Sequence, residues 1–75
     1  MTLLVTAAAG GTGQFAVQLG VLAGCYVIAT CGGPAKAALL RQLGVHRVID
    51  YTCESVKSVL KKEHPGGIDL IYEVS

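Results

Sequence analysis

A glycine-rich turn follows the first apolar run of the chain. The segment TAAAGGTG, residues 6–13, contains Gly10, Gly11 and Gly13 and separates a short apolar run from a stretch with helical periodicity. Gly10 lets the backbone approach a pyrophosphate closely, and Gly13 lets the helix pack tightly on the preceding strand. Free N–H groups and the positive dipole end at a helix start attract phosphate oxygens. We therefore predict a pyrophosphate-binding turn made by Gly10, Gly11, Thr12 and Gly13.

The spacing of this turn separates dinucleotide binding from other phosphate motifs. Gly10 and Gly13 match the last two glycines of GxGxxG, while Ala8 occupies the place of the first glycine. A P-loop requires Gly-Lys-Ser/Thr at its end, but Gln14 follows Gly13. The strand, turn and helix order favours a dinucleotide site. The alternative is a glycine turn that serves only a tight bend.

The distribution of acidic residues bears on which cofactor such a site would prefer. Residues 1–49 contain no Asp or Glu, and Asp50 is the first acidic residue. An NAD-preferring site usually places a carboxylate about 20 residues beyond the glycines, where it binds the adenosine ribose. Here the second apolar run ends in Cys31-Gly32-Gly33 and is followed by Lys36. A missing carboxylate and a nearby cation favour a 2′-phosphate. We predict a preference for NADP(H), with a solvated helix residue as the other interpretation of Lys36.

Short apolar segments alternate with stretches of helical periodicity along the whole chain. Strands are predicted at residues 3–6, 25–30, 47–51 and 68–74, and helices from 12 to the Gly24 stop, at 35–43 and at 55–63. The order β-α-β-α-β-α-β indicates the α/β class, with a partial, doubly wound parallel sheet of the Rossmann type.

The helical periodicities also predict which side chains are buried. In the first helix Phe15, Leu19, Leu22 and Ala23 recur at helical spacing, with Val17 and Val21 beside them, so we expect this helix to be largely buried. The predicted core stripes of the second and third helices are Leu39, Leu40 and Leu43, and Val56, Val59 and Leu60.

Composition excludes several classes of protein. The chain has 75 residues, of which 52% are hydrophobic and 15% charged, which is unlike a disordered tail. The net charge of +1 gives no reason to expect a nucleic acid or an anionic membrane as partner. We predict no signal peptide and no transmembrane helix.

The cysteines and histidines predict neither disulfides nor a metal site. Cys25, Cys31 and Cys53 are odd in number, and Cys25 and Cys31 lie at opposite ends of one predicted strand. Neither His46 nor His64 stands at zinc-ligand spacing from a cysteine. We therefore expect reduced thiols and an intracellular reducing compartment, such as the cytoplasm.

The sequence resembles the medium-chain dehydrogenase/reductases of the quinone-oxidoreductase and prostaglandin-reductase branch. The resemblance runs through VTAAAGGTGQFAVQL, VIATC, KAALLRQLG, VIDY and GIDLIYE in order and without gaps. It implies a zinc-free reductase of α,β-unsaturated ketones that uses NADPH, and a peroxisomal location is also compatible with it. By position, Lys36 and Tyr51 would hold the 2′-phosphate. The other interpretation of Tyr51 is a sheet-edge residue.

The chain departs from this family's pattern in two loops. Gly32 and Gly33 stand where serines are common, so only backbone N–H groups would remain there as phosphate donors. His46 stands where Asp is common, and we interpret it as an exposed loop residue.

Chain length limits the expected activity. We predict that residues 1–75 form a partial dinucleotide-binding domain without the catalytic domain, and that the chain alone is inactive. The enone substrate would bind only the full-length protein, and a homo-oligomer is compatible with the sequence. The alternative is a truncated, non-catalytic nucleotide-binding or interaction module. A short-chain dehydrogenase fits poorly, because Ala7 replaces a motif glycine and no Tyr-x-x-x-Lys is present.

Overall fold

Four strands and three helices alternate along the chain. The computed structural model describes residues 1–6 and 11–73, so Ala8, Gly10 and Val74 lie outside the described residues. The elements are β1 (Thr2–Val5), α1 (Gly11–Leu22), β2 (Tyr26–Cys31), α2 (Pro34–Gln42), β3 (Arg47–Asp50), α3 (Val56–Glu63) and β4 (Leu70–Tyr72). The predicted β-α-β-α-β-α-β order is confirmed, with β4 shorter than expected.

The strands form one parallel sheet in the order β3-β2-β1-β4. The chain moves from β1 outward to β3 and then returns to place β4 on the other side of β1. All strands run in the same direction, but the direction in which successive strands are added to the sheet reverses between β1 and β4, which is the topological switch point of a doubly wound sheet. The predicted α/β class is confirmed.

Alternate side chains of the strands enter two separate cores. Leu3, Val5, Val27 and Ala29 lie on one face with Val17 of α1 and with Ala37 and Leu40 of α2. Leu4, Ile28 and Ile49 lie on the other face, where Val56, Val59 and Leu60 of α3 pack against them. Strands β1, β2 and β3 are therefore covered on both faces, as their continuous apolar sequences predict, whereas the side chains of β4 are exposed.

Helix α1 packs on the sheet through the opposite face from the predicted one. Phe15, Leu19 and Leu22 are 65%, 52% and 83% exposed, whereas the buried residues of the helix are Gly13, Val17 and Gly20. An ideal Cβ on Gly20 would lie only 2.6 Å from Leu3 Cδ2. The expectation of a largely buried helix is wrong, because the glycine face brings the helix backbone close to β1 and turns the large side chains outward.

Helices α2 and α3 follow their predicted patterns more closely. Pro34 is the first residue of α2, and Leu40 is fully buried, while Leu39 and Leu43 are half-buried. The Ser55 hydroxyl caps α3 by accepting a hydrogen bond from the Ser58 N–H at 3.3 Å. These two helices fix the ends of the loops that follow β2 and β3.

Arg47 joins β3 to the end of α3. Its guanidinium donates to both carboxylate oxygens of Glu63, at 3.1 Å each, and also pairs with Glu54 at 3.2 Å. These hydrogen bonds hold the pKa of the Glu63 carboxyl below its ordinary value. The crossover helix α3 is thereby attached to the sheet by charge as well as by its apolar stripe.

Candidate dinucleotide site

The first turn of α1 lies at the carboxyl edge of the sheet, beside the switch point. Strand β1 ends at Val5 and α1 begins at Gly11, so residues 11–13 of the glycine-rich segment form the start of α1. Gly11 and Thr12 are exposed and Gly13 is buried. The first N–H groups of a helix lack acceptors within the helix, so this turn can offer donors to an anion. Gly10, the remaining predicted site residue of this turn, is outside the described residues.

The turn after β2 is shaped by two glycines. Gly33 precedes α2 with a φ of +112°, a conformation that favours glycine. An ideal Cβ on Gly32 would lie 2.5 Å from Tyr51 Oη and 2.8 Å from Tyr51 Cζ. The end of the Tyr51 side chain therefore lies against the backbone of Gly32, and any larger residue there would displace it.

Tyr51 directly follows β3 at the same edge. Its N–H donates to the Cys31 carbonyl at 3.0 Å, which continues the β2–β3 pairing, and its side chain is more than half exposed. The structure thus brings Tyr51 to the turn between β2 and α2, in agreement with a position at the ligand edge of the sheet.

Asp50, the last residue of β3, places its carboxylate beside the end of the neighbouring strand β2. In the parallel register Cys31 lies opposite Asp50, and Asp50 Oδ1 accepts from the Gly33 N–H at 3.0 Å. The same oxygen accepts from the Thr52 hydroxyl at 2.6 Å and the Thr52 N–H at 3.0 Å. The Thr52 hydroxyl and then the Gly33 N–H lower the pKa of Asp50, so the group is charged at neutral pH.

This carboxylate corrects the argument from the missing acid. Residues 1–49 contain no Asp or Glu, but the folded chain still has a carboxylate beside the end of β2, because Asp50 at the end of the neighbouring strand β3 contacts Gly33 there. A parallel sheet places the ends of all its strands at one edge, but this contact also requires β2 and β3 to be neighbours in this register, which only the structure shows. The Gly33 N–H is likewise already used and is not a free phosphate donor.

Lys36 occupies the third position of α2 and is exposed. No ion pair joins it to another residue of the described part of the chain. Its charge reaches the neighbouring Cys31 thiol, where Lys36 and Arg41 oppose the larger effect of burial and the effect of the Asp50 charge. Burial and Asp50 prevail and raise the pKa of Cys31, so this thiol is neutral and unsuited to act as a nucleophile.

Metal-binding and thiol chemistry find little support in residues 1–6 and 11–73. These residues contain no group of three His, Cys, Asp or Glu side chains that could hold a metal ion. Cys25, Cys31 and Cys53 are free thiols. Exposed His46 stacks on Tyr26 at 5.0 Å between ring centroids, and its Nδ1 accepts from the Val27 N–H at 3.1 Å. No described helix is both long enough and apolar enough to cross a bilayer.

The parallel sheet, with helices on both faces and a glycine-led helix starting at its switch point, defines a Rossmann-like α/β protein as the structural class. The chain belongs to the zinc-binding dehydrogenase family, whose model matches residues 11–75. Within it, the resemblance to the quinone-oxidoreductase and prostaglandin-reductase branch of the medium-chain dehydrogenase/reductases is confirmed. The described residues do not fit the zinc ion of the family's name, because they offer no ligand cluster.

Three relatives illustrate the similarity. Prostaglandin reductase-3 of Mus musculus is 58% identical over 71 residues, covering 95% of this chain and 19% of the relative. The structure of 2-haloacrylate reductase superposes with a TM-score of 0.87 at 35% identity, covering 95% of this chain and 22% of that one. The structure of Escherichia coli quinone oxidoreductase complexed with NADPH superposes with a TM-score of 0.78 at 35% identity, covering 87% of this chain and 20% of that one. The chain thus spans about a fifth of the length of these relatives.

Proposed function

We propose that the chain is the NADP(H)-binding portion of a medium-chain oxidoreductase that reduces α,β-unsaturated ketones. Residues 1–75 would form part of the dinucleotide-binding domain, and the groups that bind and protonate the ketone would lie outside them. The observation that carries this proposal is the start of α1 at the switch point, where its N–H groups face the ligand edge. The NADPH bound in the Escherichia coli relative supports the choice of cofactor.

The chain's own residues would bind and orient the cofactor rather than carry out the reduction. Gly10, Gly11, Thr12 and Gly13 would surround the pyrophosphate. Bound NADPH would supply the hydride for the alkene carbon of the substrate. In this proposal the described residues contribute the adenosine side of the site.

Lys36 and Tyr51 would distinguish NADPH from NADH. The ammonium of Lys36 is exposed beside the turn after β2, and the Tyr51 hydroxyl lies against that turn at Gly32. A 2′-phosphate would gain from the Lys36 charge and from a hydrogen bond donated by Tyr51. The 2′-hydroxyl of NADH would gain much less from that charge.

The test is a parallel titration of the purified chain with NADPH and NADH, with circular dichroism to show that it is folded. We expect NADPH to bind more tightly, and Lys36→Ala to weaken NADPH binding about tenfold with little effect on NADH. Lys62→Ala, an exposed lysine near the end of α3, is the matched control. A folded chain that binds neither cofactor would overturn the proposal.

A second candidate function is a non-catalytic nucleotide-binding or interaction module. It is favoured by the open apolar groove of about 360 Å³ between α1 and β4, lined by residues that include Met1, Leu19, Leu70 and Tyr72. Such a module would take part in an association through this groove. An assay of NADPH oxidation with an enone separates the two, because a module shows no turnover even when joined to the remainder of an oxidoreductase.

A further inference from the structure

The start of α2 lacks an acid of its own. Its first turn contains no acidic residue, and Gly33, in the N-cap position, has no side chain to cap the helix. In a capping box, an acidic or amide side chain at the third helical position accepts from the N-cap N–H. Here the third position is Lys36, and Asp50 from β3 accepts the Gly33 N–H instead. An internal anion therefore already occupies the start of α2.

From this geometry we infer that Asp50 is a specificity-determining residue that limits the preference for NADPH over NADH. The inference rests on the proposed function and concerns the same site. Asp50 would act in two ways: its negative charge repels a 2′-phosphate near the turn after β2, and its Oδ1 withholds the Gly33 N–H from that phosphate.

The position of Asp50 is fixed from three sides. Oδ1 accepts from Gly33 and twice from Thr52, and the Cys53 thiol lies 3.7 Å from Oδ2. These donors hold the carboxylate at the end of β2 and favour its charged form. Turning it away to admit a phosphate would break the hydrogen bond to Gly33 and those to Thr52.

Lys36 and Asp50 therefore oppose each other at one site. Lys36 attracts a 2′-phosphate, whereas Asp50 repels it and can accept a hydrogen bond from the 2′-hydroxyl of NADH. Removing either charge should shift the ratio of the NADPH and NADH dissociation constants, and the two shifts should have opposite signs. This pair of opposite shifts distinguishes a local effect from a general loss of binding.

Asp50→Asn is the most direct variant, because asparagine keeps an acceptor for the Gly33 N–H and loses the charge. We expect NADPH to bind about five- to tenfold more tightly to this variant, since one repulsive charge is removed from the phosphate. Binding of NADH should stay unchanged or weaken slightly. The gain for NADPH should shrink in 0.5 M salt, where exposed charges are screened.

Asp69→Asn is the matched control. Asp69 makes the same type of contact, accepting from the Thr2 N–H at 2.7 Å, but it lies at the opposite edge of the sheet. It changes the net charge equally and should leave the ratio of the two dissociation constants unchanged. Asp50→Ser keeps a short acceptor without charge, and it replaces Asp50→Asn if circular dichroism shows that variant to be unfolded.

The outcomes distinguish a failure of the inference about Asp50 from a failure of the proposed function. Tighter NADPH binding by the Asp50 variant and not by Asp69→Asn supports the inference. If the wild-type chain binds NADPH and the Asp50 variant shows the same ratio as wild type, Asp50 has no role in specificity and the proposed function stands. If the folded wild-type chain binds neither cofactor, both are overturned.

Discussion

The β2–β3 side and the β1–β4 side of the sheet are built by opposite means. On the β2–β3 side, α2 buries a leucine, and the strand ends are joined by the hydrogen bonds of Asp50. On the β1–β4 side, α1 packs across β1 and β2 through Gly13, Val17 and Gly20 and leaves the side chains of β4 exposed. Helix α2 fills the space above the sheet with a leucine side chain. The glycines of α1 instead let its backbone lie close to the sheet, and the large side chains of α1 point away from it.

The exposed side chains of the second region form a continuous feature. Leu22 of α1 is exposed, and Leu19 lines the apolar groove of about 360 Å³ with Leu70 and Tyr72 of β4. Contiguous apolar surface beside an unpaired strand edge is typical of an interaction site. The comparison therefore separates a half of the sheet whose leucines are buried from a half whose large apolar side chains are exposed in the described residues.

The largest expected effect contrasts one leucine from each helix. Leu40→Ala should lower the free energy of unfolding by about 3 kcal/mol, because it leaves a cavity in the core between α2 and the sheet. Leu22→Ala should change it by less than about 0.5 kcal/mol, since Leu22 is 83% exposed. Urea titrations followed by circular dichroism measure both, and equal losses would contradict the contrast between the two sides.

The close approach of α1 can be tested at Gly20. Gly20→Val should lower the free energy of unfolding by about 2–3 kcal/mol, because its Cβ would lie 2.6 Å from Leu3 Cδ2 and 3.1 Å from Val27 Cγ2. Gly66→Ala is the control, since a Cβ on Gly66 meets no atom within 4 Å. A Gly20→Val variant as stable as Gly66→Ala would show that α1 does not need a glycine face.

The exposed surface of the β1–β4 side should cause self-association. We expect the chain to form dimers or larger species, and Leu70→Lys to weaken the association several-fold, because a charge in the apolar groove is costly to bury. Sedimentation velocity over a range of concentrations measures this. Lys57→Gln on α3 is a control with an equally large charge change. A wild-type chain that stays monomeric over this range of concentrations would contradict the prediction.

The smallest expected effect is the pH dependence of the free energy of unfolding that arises from two carboxylates on the β2–β3 side. Because the pKa values of Glu63 and Asp50 are lowered in the folded chain, their contributions are present above the ordinary carboxyl pKa of about 4 and are lost as pH falls through the lowered values. The free energy of unfolding should therefore decline between about pH 5 and pH 2. Glu63→Gln should make the decline shallower, and an unchanged slope would argue against the Arg47 contact.

The sequence predicts the fold better than the packing. Alternation of apolar runs and helical stretches is enough to predict the element order, because each strand is a short apolar segment, and β1, β2 and β3 are buried on both faces. The predicted packing face of α1 is wrong, since Phe15 and Leu19 have the same four-residue spacing as the buried pair Gly13 and Val17. Periodicity locates two stripes on such a helix and cannot decide between them when glycine permits the closer approach.

The candidate site shows a similar limit. The sequence locates the glycines at the start of α1 because they are contiguous along the chain, and their role as a pyrophosphate-binding turn stays a prediction. The contact between Asp50 and Gly33 was missed because it joins residues 17 positions apart. It depends on which strands are neighbours and on their register, and an inspection of residues along the chain alone does not contain that information.

The sheet order also has a consequence for the time course of folding. Leu3 pairs with Val27 across 24 residues and with Leu70 across 67 residues. Closing the longer loop costs about 1 kcal/mol more in chain entropy than closing the shorter one. The β1–β2–β3 unit is therefore expected to form before β4 pairs with β1. Until then the edge of β1 that faces away from β2 has no partner among these strands, so β1 is completed in two separate steps.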